Sequence, residues 1–397
     1  MEKRLIELEV ENFRSLRKVA LPLGPLNVLV GANGAGKTNI LEVFRFLADV
    51  IRTDLQPALD LRGGFDEVAF WGGDKPPTSI QIKLKANWTT HSSPNAPDEY
   101  SLRIEQRSGR SLSRRETFQF KRTQGRGRRI TISGQKVNVV QIGKDRAESP
   151  AHSIGIQRLS SGLSTLPRLT DDEGGTEVAT VAQRLASFRV FDVNVGSARM
   201  PSRFPHGMDA LEDDAANMAA FLLTLRSRDE EAFQRLEADA IEVLPQLTGI
   251  DFEFPSGPAR EVIVILHERG LRRRTQLADA SYGTIRLLGL LSLLYDPSPP
   301  ALTCIEEIDH GLHPQALELL VERLREASLR TQFLIATHSP ALADRLHPDE
   351  LVVCERRDDG SSAIPAISHK QIRNIVTRSE GLPLGELWFS GALGGDL

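Results

Sequence analysis

A glycine-rich segment near the N-terminus has the residue types and spacing of a phosphate-binding loop. Residues 31–38 read Gly-Ala-Asn-Gly-Ala-Gly-Lys-Thr and fit the pattern G-x-x-x-x-G-K-[ST]. Glycines let successive backbone N–H groups converge on phosphate oxygens, while a lysine adds positive charge and a threonine hydroxyl can bind Mg²⁺. The pattern therefore predicts a nucleoside triphosphate site. The residues predicted to contact the nucleotide are Asn33, Gly34, Gly36, Lys37, Thr38 and Asn39.

Two adjacent acids form a second group that could do chemistry. The apolar run at residues 302–305 is typical of a buried strand, and Glu306 and Glu307 follow it directly. Glu306, at the last strand position, is suited to bind Mg²⁺, directly or through water. Glu307 can orient or deprotonate the water that attacks the γ-phosphate, and Lys37 can balance the phosphate charge. A solvated junction between strand and loop is the alternative, which the upstream phosphate loop weakens.

The segments around the phosphate loop predict the elements that must position it. The apolar run at residues 26–30 is typical of a buried strand, and apolar residues recur after Lys37 with the spacing of one helix face. These helix residues are Ile40, Val43, Phe44, Leu47 and Ile51. The loop is therefore predicted to end at a helix N-terminus, whose dipole favours anions. A glycine turn that binds nothing is the weaker alternative.

Beyond the first helix, the sequence predicts an α/β P-loop fold with two insertions. We assign the nucleotide-binding lobe to residues 1–51 and 260–397, where apolar strand and helix segments alternate. Residues 52–150 contain glycine and proline pairs followed by alternating β-type segments, which predict a β-rich inserted arm with mobile loops. Residues 151–259 are predicted to form a linker and a helical insert.

The charge distribution predicts a basic surface on an otherwise acidic protein. The net charge is −4, yet residues 103–146 contain 13 Lys or Arg and three acids. Such a segment favours an anionic partner, and we predict that it binds the backbone of DNA. A solvated hairpin whose charges only keep it soluble is the alternative. The basic residues that crowd this segment are Arg114, Arg115, Lys121, Arg122, Arg126, Arg128 and Arg129.

Composition and length argue against several classes of protein. The 397 residues are 40% hydrophobic and 26% charged, which is typical of a soluble globular chain. The longest apolar run, residues 287–295, is shorter than the ~20 residues that span a bilayer, and no signal core follows Met1. Cys304 and Cys354 lie in apolar stretches and are predicted to be buried thiols. We therefore expect a cytoplasmic protein without a membrane anchor.

Four segments occur in an order that resembles ABC-type ATPases. The phosphate loop at 31–38 is followed by Asp-Ala-Ser-Tyr-Gly-Thr at 279–284, Ile-Glu-Glu-Ile-Asp-His-Gly-Leu-His-Pro at 305–314 and Ala-Thr-His-Ser-Pro at 336–340. The chain resembles in particular the branch that contains SMC, RecF and the OLD-family proteins. Asn33, the Glu-Glu pair and the opening Asn-Phe-Arg-Ser-Leu at residues 12–16 favour that branch over transporter subunits.

The resemblance implies a composite active site. In that family two ATPase heads sandwich ATP, and a serine and a glycine of one head contact the γ-phosphate held by the other. By this resemblance Ser281 and Gly283 act in trans, and His338 is the switch histidine that senses the γ-phosphate. From the residues alone, Ser281 precedes an apolar helix and is a natural N-cap beside an anion, with a plain helix cap as the alternative. For His338 the alternative is a buried, satisfied histidine.

The resemblance therefore implies an ATPase that forms a homodimer around ATP and acts on DNA or on a DNA-processing partner. OLD-family proteins carry a C-terminal Toprim nuclease, but only about 60 residues follow His338, so a nuclease or effector is expected on a separate chain. Such ATPases resemble components of anti-phage systems, which makes defence the leading expectation and DNA repair the next. A transporter subunit is a less favoured alternative, and the acid pair argues against a non-hydrolysing nucleotide sensor.

Overall fold

The structure is a computed structural model that describes most of the chain. The described residues are 4–107, 111–121, 127–142, 159–168, 174–203, 210–255, 260–379 and 381–394. Two of the basic residues singled out above, Arg122 and Arg126, lie outside these ranges.

The apolar runs of the nucleotide-binding lobe form a five-stranded parallel sheet. In spatial order its strands are β16 (Leu351–Val353), β3 (Leu26–Val30), β15 (Phe333–Thr337), β14 (Thr303–Glu306) and β9 (Arg189–Phe191). Strand β3 is buried at every position, as expected for a parallel strand covered on both faces. The carboxyl ends of parallel strands meet at one edge, where ligands bind in such sheets. The loops that follow these strands are therefore brought together there.

Helices cover this sheet on both faces. The principal ones are α1 (Lys37–Arg52), α9 (Tyr282–Leu294) and α10 (Pro314–Ala327). Leu29 of β3 faces the core shared with α1, whereas Val28 and Val30 face the core shared with α9 and α10. The predicted order of strand, glycine loop and helix is observed, since β3 leads through residues 31–36 into α1.

The strands of residues 52–150 continue a sheet that begins at the N-terminus. This antiparallel sheet has seven strands in the spatial order β2-β1-β4-β5-β6-β7-β8. Their bounds are β1 (Leu5–Phe13), β2 (Leu16–Pro22), β4 (Ser79–Ala86), β5 (Asp98–Gln106), β6 (Leu112–Phe120), β7 (Gly127–Ser133) and β8 (Lys136–Ile142). Residues 129–140 form a hairpin that turns at Gly134, where φ is +58°. The division of the chain into domains stays a prediction.

The middle of the chain is mostly helical and packs against a small antiparallel sheet. Its helices are α4 (Gly162–Thr165), α5 (Gly175–Ala186), α6 (Val195–Ala198), α7 (Met218–Arg228) and α8 (Glu230–Val243). The sheet contains β10 (Ser202–Arg203), β11 (Leu247–Glu253), β12 (Glu261–Glu268) and β13 (Thr275–Gln276). The remaining elements are α2 (Leu55–Asp60), α3 (Phe65–Val68), α11 (Pro340–Ala343), β17 (Glu355–Arg356), β18 (Ser362–Ala363), α12 (His369–Arg378) and α13 (Leu384–Phe389).

Two further expectations concern cysteines and membrane spans. Cys304 and Cys354 are both free and buried, as predicted. Within the described ranges, no helix combines the length and the apolar character that crossing a bilayer requires.

Candidate nucleotide-binding site

The phosphate loop has the backbone that its glycines permit. At Gly36, the residue before α1, φ is +103°, in the left-handed region that favours glycine. A Cβ at this position would lie 2.2 Å from Ser362 Oγ and 2.8 Å from Ser15 Oγ, so no larger residue fits without a shift. Asn33 and Gly34 are exposed along the same loop. The loop therefore presents backbone N–H groups at the N-terminus of α1, where an anion is favoured.

Lys37 is held inside the loop that precedes it. Its side chain is only 5% exposed, and Nζ donates to the carbonyl oxygens of Gly31 at 2.6 Å and Ala32 at 3.0 Å. Burial lowers the pKa of the Lys37 ammonium to about 8, while the Glu307 charge opposes that shift. The Lys37 amine therefore lies beside the backbone of the phosphate loop, at the carboxyl edge of the sheet.

His338 meets Lys37 at this edge. It follows β15 directly, and its Nδ1 lies 3.5 Å from Lys37 Nζ. Burial lowers the pKa of His338, and the positive charge of Lys37 lowers it further, which favours a neutral ring that can accept a hydrogen bond. The structure thus brings together two predicted site residues that are 301 positions apart in the sequence.

The two adjacent acids differ in environment. Strand β14 ends at Glu306, which is half-buried, as its predicted position requires. Glu307 has a φ of +46° and an exposed side chain, and its N–H donates to the Ala336 carbonyl at 2.9 Å. A positive φ is unfavourable for a residue other than glycine, and such strain is often found at functional sites. The backbone turns at Glu307, which separates the two carboxylates in direction.

Thr38 and Glu306 are the residues that could hold Mg²⁺. Thr38 is exposed at the start of α1, and Glu306 lies at the same edge of the sheet. Hydroxyl and carboxylate oxygens suit Mg²⁺, which proteins commonly bind through few side chains together with substrate phosphates. Burial raises the pKa of the Glu306 carboxyl, with Arg45 opposing the shift. A nearby cation would stabilise its ionised form, so the donor set fits the metal.

Ser281 and Gly283 lie at the start of α9. Ser281 is exposed and caps the helix, since its Oγ accepts from Thr284 N–H at 3.1 Å. Gly283 packs so closely against the loop after Glu307 that an added Cβ would lie 2.8 Å from the Gly311 carbonyl. Among the described residues, neither forms a hydrogen bond with residues 31–38.

A buried arginine on α9 was missed by the sequence analysis. Arg286 is 3% exposed, and its Nη2 donates to the carbonyl oxygen of Glu307 at 2.6 Å. Its Nη1 lies 3.5 Å from Asp192, which directly follows β9. An isolated charge inside an otherwise apolar helix is the one signal that could have identified Arg286. Asp192 offered no such signal because β9 is only three residues long.

A cavity of about 440 Å³ opens beside the phosphate loop. Among its lining residues are Arg14, Ser15, Asn39, Trp71 and Arg356. Asn39 borders the cavity and donates to Ser15 Oγ at 2.7 Å, and Arg356 donates to the Gly34 carbonyl at 3.4 Å. The Trp71 side chain is 73% exposed. An aromatic ring with basic groups next to a phosphate cradle suits the base and sugar of a nucleotide. Trp71 and Arg356 were not predicted from the sequence, because they lie outside the recognised motifs.

Two of the residues predicted to bind DNA are buried instead. Arg114 pairs with Glu116 at 3.3 Å, and both side chains are 0% exposed. Arg128 pairs with Glu177 of α5 at 3.0 Å. Side chains alternate between the two faces of a strand, and Arg114 and Arg128 fall on the packed face. The prediction was therefore wrong for these two arginines: Arg114 pairs within β6, whereas Arg128 joins the sheet to α5. Arg115 and Arg129 fall on the opposite, exposed face.

The comparisons with known proteins agree with these motifs. The profile of the AAA_21 family, described as "AAA domain, putative AbiEii toxin, Type IV TA system", matches residues 26–344. The chain is similar to the OLD nuclease of Thermus scotoductus, with 49% identity over 55 residues, which are 14% of this chain and 10% of that protein. It is also similar to the DNA repair protein RecN of Synechocystis sp., with 29% identity over 234 residues, or 55% and 40% of the two chains. The chain thus spans less than half the length of either relative.

A solved structure shows the same fold at low sequence identity. This is the Smc head domain of Pyrococcus furiosus, solved with an extended coiled coil and bound to the C-terminal domain of ScpA. The TM-score is 0.53 at 12% identity, and the match covers 96% of this chain and 100% of that one. The predicted fold class, an α/β ABC-type head, is confirmed.

Proposed function

This chain belongs to the AAA-domain family matched above, within the SMC/RecF/OLD-like branch of ABC-type ATPases, and we propose that it binds and hydrolyses ATP as a dimer. The observation that carries the proposal is the meeting of four groups at one edge of the parallel sheet. These are the glycine cradle of residues 31–36, Lys37, the Glu306–Glu307 pair and His338. In register, Val30 pairs with Thr337, and Glu306 pairs with Ala336, the preceding residue of β15.

In the proposed reaction, the oxygen of a water attacks the γ-phosphorus as the bond to ADP breaks. Glu307 accepts the proton of the water, since its carboxylate is exposed at this edge. Lys37 and the backbone N–H groups neutralise the phosphate oxygens, and the neutral His338 ring contacts the γ-phosphate. Thr38 and Glu306 would hold Mg²⁺, which would supply further neutralisation of the phosphate charge. The products are ADP and phosphate.

We propose that Ser281 and Gly283 complete the site of a second copy of the chain. Both lie at the exposed N-terminus of α9, where N–H groups and the helix dipole favour an anion. Ser281→Arg should block dimer closure and turnover, because a bulky side chain fills the space for the partner's phosphate. Mixing this variant with Lys37→Ala should restore partial turnover, since a mixed dimer contains one site with both functional halves. Turnover of the two variants, alone and mixed, measures this.

A control variant and a contradicting result complete this test. Ser298→Arg, in an exposed turn after α9, should leave turnover unchanged. If mixing is demonstrated by differently tagged chains and no turnover returns, assembly of the site in trans is wrong.

We also propose that the exposed face of β5–β7 binds the backbone of DNA. Arg115 lies directly opposite Arg103 across β5 and β6, and Arg103 pairs with Glu105 at 2.7 Å. A groove of about 510 Å³ on this face is lined by Arg115, Lys121 and Arg129, among other residues. Within the described ranges, no acid forms an ion pair with Arg115. We therefore propose that the phosphates of DNA contact the exposed side chains of this face, and not every basic residue of 103–146.

The double variant Arg115→Glu, Arg129→Glu should weaken binding to duplex DNA without altering basal ATP turnover. Fewer counterions are released on binding when a phosphate contact is lost. Each lost contact therefore reduces the magnitude of the slope of log affinity against log salt by about 0.9. Binding is measured by fluorescence anisotropy across a salt series. Arg235→Glu, an exposed arginine of α8, is the matched control. An affinity and a slope equal to those of the unmutated protein would assign the DNA contact to another surface.

The biological role that we propose is anti-phage defence, with DNA repair as the second candidate. The family description names a toxin of a toxin–antitoxin system, and the relatives include an OLD nuclease and a DNA repair protein. Either role calls for a separate nuclease or effector chain. The protein that co-purifies with this chain would distinguish the two roles.

A further inference from the structure

Arg286 connects helix α9, which carries Ser281, to Glu307, the proposed base of the reaction. It belongs to α9, whose first turn carries Ser281 and Gly283, and it lies in the buried part of that helix. Its guanidinium reaches the end of β14, where Nη2 donates to the Glu307 carbonyl at 2.6 Å and lies 3.4 Å from the Glu306 carbonyl. A single side chain thus joins the helix that faces a partner to the acid that faces the chain's own phosphate loop.

The Arg286 contact falls at the one strained residue of the acid pair. Glu307 has a φ of +46°, and a residue other than glycine keeps such a conformation only when its surroundings hold it. Its N–H donates to the Ala336 carbonyl at 2.9 Å, and its carbonyl accepts from Arg286 Nη2 at 2.6 Å and from the His310 N–H at 2.9 Å. These hydrogen bonds hold the Glu307 backbone and thus the position from which its carboxylate extends, 3.6 Å from His310 Nδ1.

The Arg286 guanidinium is buried, so its hydrogen-bond partners come from the protein. Arg286 is 3% exposed, so its charge needs partners within the protein, and the carbonyls of Glu306 and Glu307 and the Asp192 carboxylate at 3.5 Å provide them for Nη1 and Nη2. Register in the parallel sheet places Asp192 beside Glu306, because Phe191 pairs with Ile305. Arg286 is thus anchored between the carboxyl ends of β9 and β14.

We propose that Arg286 is a positioning residue that holds Glu307 in the conformation required to accept the proton of the attacking water. The inference rests on the proposed ATP hydrolysis and adds a residue to it. Arg286 acts in cis, on the Glu307 of its own chain, although its helix presents Ser281 to the partner's nucleotide. The structure therefore predicts that loss of Arg286 slows the chemical step and leaves ATP binding intact.

Arg286→Met keeps the length of the side chain and removes its donors. We expect single-turnover hydrolysis to fall roughly 10- to 100-fold, as for a misplaced catalytic group, with an unchanged ATP dissociation constant and an unchanged ATP-dependent dimer. Arg286→Lys can still donate to one carbonyl and should recover part of the rate. Arg323→Met, which removes an arginine paired with Asp239 away from the site, is the matched control and should retain full turnover.

Mixed dimers separate this role from a general effect on α9. Arg286→Met mixed with Lys37→Ala should not regain turnover, because the only competent phosphate loop lies beside a misplaced Glu307. Ser281→Arg mixed with Lys37→Ala should regain it, because its own Glu307 is intact. Rescue in the first mixture, or full single-turnover hydrolysis by folded Arg286→Met or Arg286→Lys, would overturn the inference. Failure of the second mixture, or an unmutated protein that does not hydrolyse ATP, would instead contradict the proposed function.

Discussion

Lys37→Ala should abolish tight ATP binding and leave the fold intact. In the structure the Lys37 ammonium is surrounded by the phosphate loop, 2.6 Å from the Gly31 carbonyl, at the place where β- and γ-phosphates would lie. A charge-assisted hydrogen bond is worth about 1.5–3 kcal/mol. Loss of two such bonds therefore raises the dissociation constant roughly 100-fold or more. Isothermal titration calorimetry with ATP measures the effect.

The control for Lys37→Ala is Lys18→Ala, which removes an exposed lysine of β2. It should leave ATP affinity unchanged. Circular dichroism and the melting temperature show whether each variant is folded. A folded Lys37→Ala protein with the ATP affinity of the unmutated chain would contradict the assignment of the loop.

Glu307→Gln should stop turnover while ATP stays bound. The substitution keeps the shape of the side chain and removes the carboxylate that accepts the proton, and general bases contribute about 10²–10⁴-fold to a rate. Because the backbone of Glu307 is held by Ala336 and Arg286, the amide should occupy the same position. The ATP-bound dimer should then accumulate, which size-exclusion chromatography with light scattering detects.

Glu318→Gln, on the exposed face of α10, is the matched control and should hydrolyse ATP at the unmutated rate. Phosphate release measured with saturating ATP gives the comparison. If Glu307→Gln hydrolyses ATP as fast as the control, the base is another group. The half-buried Glu306 would then be the first alternative, since it ends β14 directly before Glu307.

The parts of the site that lie within one continuous segment could be predicted from the sequence. The phosphate loop needs residues at fixed local spacing between a strand and a helix, and β3 and α1 occur as expected. The end of β14 at Glu306 was likewise predicted from an apolar run and its boundary. The roles of these residues stay predictions until the variants are measured.

Which face of the basic strands is buried could be determined only from the tertiary structure. Alternation along β6 separates Arg114 from Arg115, and this much is visible in the sequence. Which of the two is buried depends on Gly162, whose N–H donates to Glu116 at 2.9 Å, and on the other neighbours that cover the packed face. Since these neighbours come from distant segments, charge alone overestimated the surface available to DNA.

The sequence by itself determined that this protein has a phosphate loop, an acid pair and a following histidine in the order of ABC-type ATPases. Only the tertiary structure placed Asp192 beside Glu306 and Arg286 against the Glu307 carbonyl. The physical reason is that strand order in a parallel sheet is set by pairing between distant segments, such as Phe191 with Ile305. Local patterns specify which elements form, whereas contacts between them arise only when the sheet assembles.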